Sequence, residues 1–124
     1  MRHVFLGSLA LGLLACATQS ARAQTSQPPV GQRLFQQRCG ACHQIDTGRN
    51  SVGPHLQGII GRQAGSVQGS NVSTGLKESG ITWTTENLDA FLANPASLVR
   101  GTRMIQRFGN AEERRAIIEF LGSR

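Results

Sequence analysis

Apolar and polar positions along this chain follow three different rhythms. Val4 to Ala15 is a nearly unbroken apolar run. Val30, Leu34 and Phe35 then fall on one stripe at helical spacing, which predicts an amphipathic helix from Val30 to about Gln37. From Ile45 to Asn71 no period survives, and recurrent glycines, with Gly53-Pro54 among them, mark a long loop. A short helix is expected over Ser73 to Ser79, stopping at Gly80. Thr84 or Thr85 caps the next one, with Glu86 in its first turn, Leu88, Phe91 and Leu92 facing inward, and Asn94-Pro95 as its end. Residues 96 to 109 read as a second loop. Asn110 caps a last helix with Glu112 and Glu113 at the positive end of its dipole and Ile117, Ile118, Phe120 and Leu121 on its apolar face. No repeat, low-complexity tract or second domain interrupts this order. The expected fold class is all-α, with three main helices, short helices and long loops.

The first apolar run is too short for a spanning helix. With Arg2 and His3 before it and Ala21-Arg22-Ala23 after it, residues 1–23 read as an export signal cleaved after Ala23. Residues 24–29 are then a polar linker and 30–124 the folded domain. A competing reading takes Leu13-Leu14-Ala15-Cys16 as a lipoprotein box with Cys16 carrying the lipid, although Leu14 fits that pattern poorly. Both place the protein outside the cytoplasm, in the periplasm or anchored to a membrane through Cys16. The whole chain carries a net charge of +6, and without Arg2 and Arg22 it keeps 11 basic residues against 7 acidic ones. No basic run is interleaved with stacking aromatics, which argues against nucleic acid and for an acidic protein partner.

The chemistry is concentrated in Cys39-Gly40-Ala41-Cys42-His43, whose C-x-x-C-H spacing is that of c-type haem attachment. Two intervening residues let one turn present both thiols to the two vinyl groups of the porphyrin edge, and the next residue offers its imidazole to the iron. A thioredoxin-like pair needs a βαβ setting that is missing here. A zinc site needs four ligands, and only His55 stands nearby. A disulfide between Cys39 and Cys42 would close too small a loop to stabilise much. One covalently bound haem also accounts for the long glycine-marked loop, since such a stretch in a small domain signals a bound ligand. It supplements a thin core whose large aromatics are Phe35, Trp83, Phe91, Phe108 and Phe120. The occupant of the sixth iron position separates carrier from catalyst. If it is a thioether it is Met104, because Met1 lies in the signal. An isolated methionine is more often a core filler, but Met104 sits in a loop.

In order along the chain stand Gly31-Gln32-Arg33-Leu34-Phe35, the haem motif, Val52-Gly53-Pro54-His55-Leu56, Gly58-Ile59-Ile60-Gly61-Arg62, Gly80-Ile81-Thr82-Trp83, Phe91-Leu92-Ala93-Asn94-Pro95 and Gly101-Thr102-Arg103-Met104. In these segments the chain resembles the class I cytochromes c of mitochondrial-like type. The resemblance implies His43 as proximal and Met104 as distal iron ligand, with the Pro54 carbonyl orienting His43. It also implies Arg62 and Trp83 on a haem propionate, Thr102 seating the methionine loop, and Gly31 and Phe35 packed on Ile117 and Phe120. Phe91, Val72, Arg100 and Gln106 depart from the family pattern on the distal side, and His55 reads as a surface or propionate-side residue. The implied role is a monomeric one-electron carrier, not an enzyme, exchanging electrons with acidic redox proteins: a dehydrogenase as donor, a terminal oxidase or other acceptor. Arg38, Arg100, Arg103 and Arg107 would ring the exposed haem edge and steer those partners. Two alternatives stand beside it: a dedicated electron-accepting subunit of a periplasmic dehydrogenase, and a haem-based sensor or enzyme with a labile Met104.

Overall fold

Helix α1 (Val30–Arg38) starts directly after Pro28-Pro29 and ends with Arg38 in its last turn, where a cation meets the negative end of the dipole. This is a computed structural model, and it describes residues 28–124. The expected signal, Cys16 and most of the linker lie outside the described residues. The buried residues of α1 are Gly31 and Phe35, whereas Val30 is 54% exposed. The apolar stripe therefore runs through Gly31 rather than Val30, and the reason is the neighbouring helix. An ideal Cβ on Gly31 would stand 2.1 Å from the Ala116 carbonyl oxygen and 2.8 Å from Phe120 Cβ. Only a glycine lets α1 approach so closely to α5 (Ala111–Gly122). The crossing is completed by Phe35 and Phe120, whose ring centroids lie 5.5 Å apart.

Between these two helices stand α2 (Thr74–Glu78), α3 (Thr85–Ala93) and α4 (Pro95–Leu98). Of the two caps offered for α3 the chain uses Thr84, Asn110 caps α5 as expected, and Ser73, expected inside the short helix, is its cap. Ser73 accepts from the Leu76 N–H at the start of α2. Thr84 and Asn87 exchange side-chain and backbone hydrogen bonds in a capping box on α3. Asn110 Oδ1 accepts from the N–H groups of Glu112 at 2.8 Å and Glu113 at 3.3 Å. The one-turn α4 lies where loop was expected. Pro95 stops α3, but its fixed φ and missing N–H also suit it to the first position of a new helix. Asn94, extended at φ −157°, is the joint between the two.

No strand occurs among the described residues, only an isolated antiparallel bridge between Gln63 and Thr82. Around it the glycine-rich loop is stitched to the chain before α3: Gly61 N–H to Trp83 carbonyl at 2.8 Å, Trp83 N–H to Arg62 carbonyl at 2.9 Å, Ala64 N–H to Ile81 carbonyl at 2.7 Å. The all-α expectation holds. Phe35, Leu88, Phe91, Leu92, Phe108, Ile117 and Leu121 belong to one buried cluster. Arg114 closes it from the edge, donating to Asp89 Oδ1 at 2.7 Å and to the Phe108 carbonyl at 2.8 Å.

Candidate haem site

Cys39 is the residue on which α1 ends, and its N–H returns to the Phe35 carbonyl at 2.8 Å. The next turn is held by its own carbonyl, which accepts from Cys42 N–H at 3.0 Å and His43 N–H at 2.9 Å. One turn thus presents two thiols and an imidazole to the same space. Cys39 is half-buried and Cys42 exposed. Burial pushes the Cys39 thiol up to about 11, against the opposing pull of Arg38 and with a small further push from Cys42. Reactive C-x-x-C pairs need the reverse, a depressed thiol pKa, so this environment disfavours the redox-motif reading.

His43 is held from behind. Its Nδ1 stands 2.8 Å from the Pro54 carbonyl oxygen, and since a carbonyl only accepts, Nδ1 donates there and Nε2 is the ring nitrogen left for another partner. The loop that supplies this carbonyl lies directly against the ring. A Cβ on Gly53 would stand 2.5 Å from His43 Cε1 and 2.9 Å from Nδ1. Gly53 N–H donates to the Cys42 carbonyl at 2.8 Å, and Leu56 N–H to that of Gln44 at 2.8 Å, which fixes loop to motif. From sequence Gly53 reads only as punctuation of the loop, because its neighbour in space, His43, is ten positions away.

Beyond the motif opens a cavity of about 430 Å³. Cys39, Cys42, His43, Pro54, Arg62, Trp83 and Met104 all contribute to its wall, and the rest is mainly apolar side chains such as Leu88, Phe91, Leu92 and Phe108. Thr102 is the one expected site residue outside the wall. It sits behind Met104, its Oγ1 accepting from the Met104 N–H at 3.3 Å. The wall fits a flat, mostly apolar group with an anionic edge. Arg62 is the evidence for that edge: half-buried, it donates to the His55 carbonyl at 2.7 Å and the Gln57 carbonyl at 3.0 Å and has no carboxylate partner among the described residues. Burial lowers its pKa, so an anion brought beside it would relieve a cost. Trp83 is 7% exposed and meets Phe91 edge-to-face at 5.0 Å.

His55 is absent from the wall. Its Nδ1 lies 3.5 Å from Arg62 Nη1, and desolvation, then the Arg62 charge, lower its pKa. Two apolar side chains, Val52 at 67% and Ile105 at 87% exposure, stand on the rim of the cavity. The four arginines expected around it are not equivalent. Arg38 Nη2 lies 3.2 Å from Glu113 Oε2, with its guanidinium over the Phe108 ring. Arg103 donates to Asn71 Oδ1. Arg100 and Arg107 are exposed and make no ion pair among the described residues.

Comparison with known proteins gives a consistent answer. The family model described as Cytochrome c matches residues 30–124. Cytochrome c type-1 of Ascaris suum is 40% identical over 92 residues, covering 73% of this chain and 82% of that one. Cytochrome c2 of Rhodomicrobium vannielii is 38% identical over 112 residues, covering 88% and 89%. Among solved structures, cytochrome cH from Methylobacterium extorquens superposes with a TM-score of 0.70 at 35% identity, covering 77% of this chain and 96% of that one. The chain belongs to the cytochrome c family, as a class I electron carrier with one covalently bound haem c rather than an enzyme.

Proposed function

We propose that Cys39 and Cys42 carry the haem through thioethers, that His43 Nε2 and Met104 Sδ take the two axial positions, and that Arg62 and Trp83 hold a propionate. The observation that carries this reading is the cavity wall, with His43, its Nδ1 committed to Pro54, and Met104 both on it. When bound, the haem supplies a one-electron iron couple. The work of the chain is to hold that couple at a high potential and expose one edge of it. A carbonyl behind His43 fixes the ring and its basicity, and the apolar wall keeps water out. Filling both axial positions leaves no room for a substrate.

The protein works as a monomer in the periplasm, after export directed by residues 1–23. Its donor and acceptor are acidic redox proteins, a dehydrogenase on one side and an oxidase or other acceptor on the other. Arg107, two residues from the exposed Ile105 and without an ion pair among the described residues, supports that choice of partner, because an unpaired cation near an apolar centre steers acidic surfaces and then leaves an area to bury. Absorption spectra of the purified protein in both redox states test the assignment. The reduced bands report two thioethers, and the weak methionine-to-iron band of the ferric form disappears in Met104→Ala. A ferric form that keeps this band after that substitution would overturn the axial assignment.

A further inference from the structure

The stretch that carries Met104 has little internal support. From Val99 to Gly109 it contains no helix or strand. Its own hydrogen bonds around the methionine are long: Thr102 N–H to the Val99 carbonyl at 3.3 Å and Met104 N–H to Thr102 Oγ1 at 3.3 Å. Its far end is anchored by Phe108, whose N–H donates to the Leu92 carbonyl at 2.9 Å and whose carbonyl accepts from Arg114 at 2.8 Å, while the part before Met104 is held by α2 and the residues before it. An ideal Cβ on Gly75 would stand 2.1 Å from the Arg100 carbonyl oxygen, so the backbone of α2 rests directly on the methionine loop. A second link lies at the rim of the cavity, where Asn71 Oδ1 accepts from Arg103 Nη1. On its other flank α2 is stopped in the same way, since a Cβ on Gly65 would stand 2.7 Å from Lys77 Cα. Gly65 has φ +75°, which further restricts what can replace it. The short helix is thus wedged between the glycine-rich loop and the methionine loop.

We infer that Gly75 and Arg103 are positioning residues for Met104: they clamp its loop to α2, and the tightness of this clamp sets how often the sixth coordination position opens to an outside ligand. The inference rests on the proposed axial role of Met104. An outside ligand that needs the open form binds with its intrinsic affinity reduced by the fraction open, so loosening the clamp shows directly as tighter apparent binding. The exchange is a ligand substitution in which thioether sulfur leaves and the incoming donor enters, with no change of oxidation state. Gly75→Ala isolates the contact. Alanine is the better helix former, so α2 itself is not weakened, while the Arg100 carbonyl must retreat to reach an ordinary separation.

The test is an imidazole titration of the ferric, haem-loaded protein followed by the methionine-to-iron band. Gly75→Ala is expected to bind imidazole about tenfold more tightly, and Arg103→Ala at least about threefold, by raising the open fraction. Arg103→Lys, which keeps a donor, recovers part of the effect. Arg115→Ala removes an equal charge from an exposed position on α5, away from the clamp, and binds as the wild type does. In a Met104→Ala background the Gly75 and Arg103 substitutions change nothing further. Wild-type affinity in both Gly75→Ala and Arg103→Ala overturns the clamp while leaving the axial role of Met104 intact. A band that survives Met104→Ala overturns the axial role itself. Should Gly75→Ala fail to fold, Arg103→Ala, which alters only an exposed side chain, decides the question.

Discussion

Gly31→Ala adds one methyl group to the face of α1 that meets α5, and the structure gives the size of the collision. The new carbon would lie 2.1 Å from a main-chain carbonyl oxygen at Ala116 and 2.8 Å from Phe120 Cβ. Neither atom is the free end of a side chain, so relief requires the two helices to part by more than an ångström. Parting them opens the Phe35–Phe120 contact at 5.5 Å and loosens the packing of Ile117, which is 1% exposed. Overpacking of this kind costs about 1–3 kcal/mol, and a backbone obstacle puts it at the upper end, about 3 kcal/mol. Replacing a glycine inside a helix returns about 1 kcal/mol. The expected net loss is about 2 kcal/mol, equal to roughly 8–16 °C in Tm for a domain of this size. Gly122→Ala in α5 is the matched control, since the nearest atom to its Cβ would be Ile60 Cγ1 at 3.8 Å. Thermal and urea unfolding of the haem-loaded variants, followed by far-UV circular dichroism, measure both. The reasoning fails if Gly31→Ala unfolds no earlier than Gly122→Ala.

Asn110→Ala removes the oxygen that accepts from two N–H groups at the start of α5 and is expected to cost about 1 kcal/mol in urea unfolding, with Asn110→Asp recovering it. Electron transfer to an acidic redox partner should slow as ionic strength rises, and Arg107→Ala should flatten that dependence more than Arg38→Ala, whose charge is already paired with Glu113; stopped-flow rates across a salt series give the comparison. His55 has a folded pKa below its ordinary 6.5, so the unfolded chain takes up its proton first as pH falls. Stability therefore declines as pH drops below about 6.5 and the decline ends once the folded form also binds the proton. Urea midpoints measured from pH 7.5 to 5 should show this slope in the wild type, and an equal slope in His55→Gln would assign it to another group.

What the sequence made legible was local. The Thr84-Thr85 pair and Asn110 announce their helices because a cap is read within three residues. Cys39, Cys42 and His43 are adjacent, and Met104 stands out for want of competitors. Contacts between distant positions stayed hidden. Gly31 counts for nothing in an apolar stripe, so Val30 was credited with a burial that belongs to its neighbour. Its importance lies in Ala116 and Phe120, far along the chain. The same holds for Gly53 against His43, Gly75 against Arg100, and the pairing of Arg38 with Glu113 that removes one cation from the expected ring. Pro95 misled for another reason: the same ring that forbids continuing α3 favours beginning α4.

The crossing of α1 and α5 has a consequence for the order of events in biosynthesis. Cys39 terminates α1, yet α1 has its packing partner only in the last helix described. Closing a loop of about 80 residues carries an entropic cost that rises only slowly with length, but the closure has to wait until α5 exists. Until then α1 has no helix to cover Gly31 and Phe35. The crossing therefore forms only once the chain through α5 has been made, and a chain cut before α5 would leave α1 without the contact that buries Gly31 and Phe35.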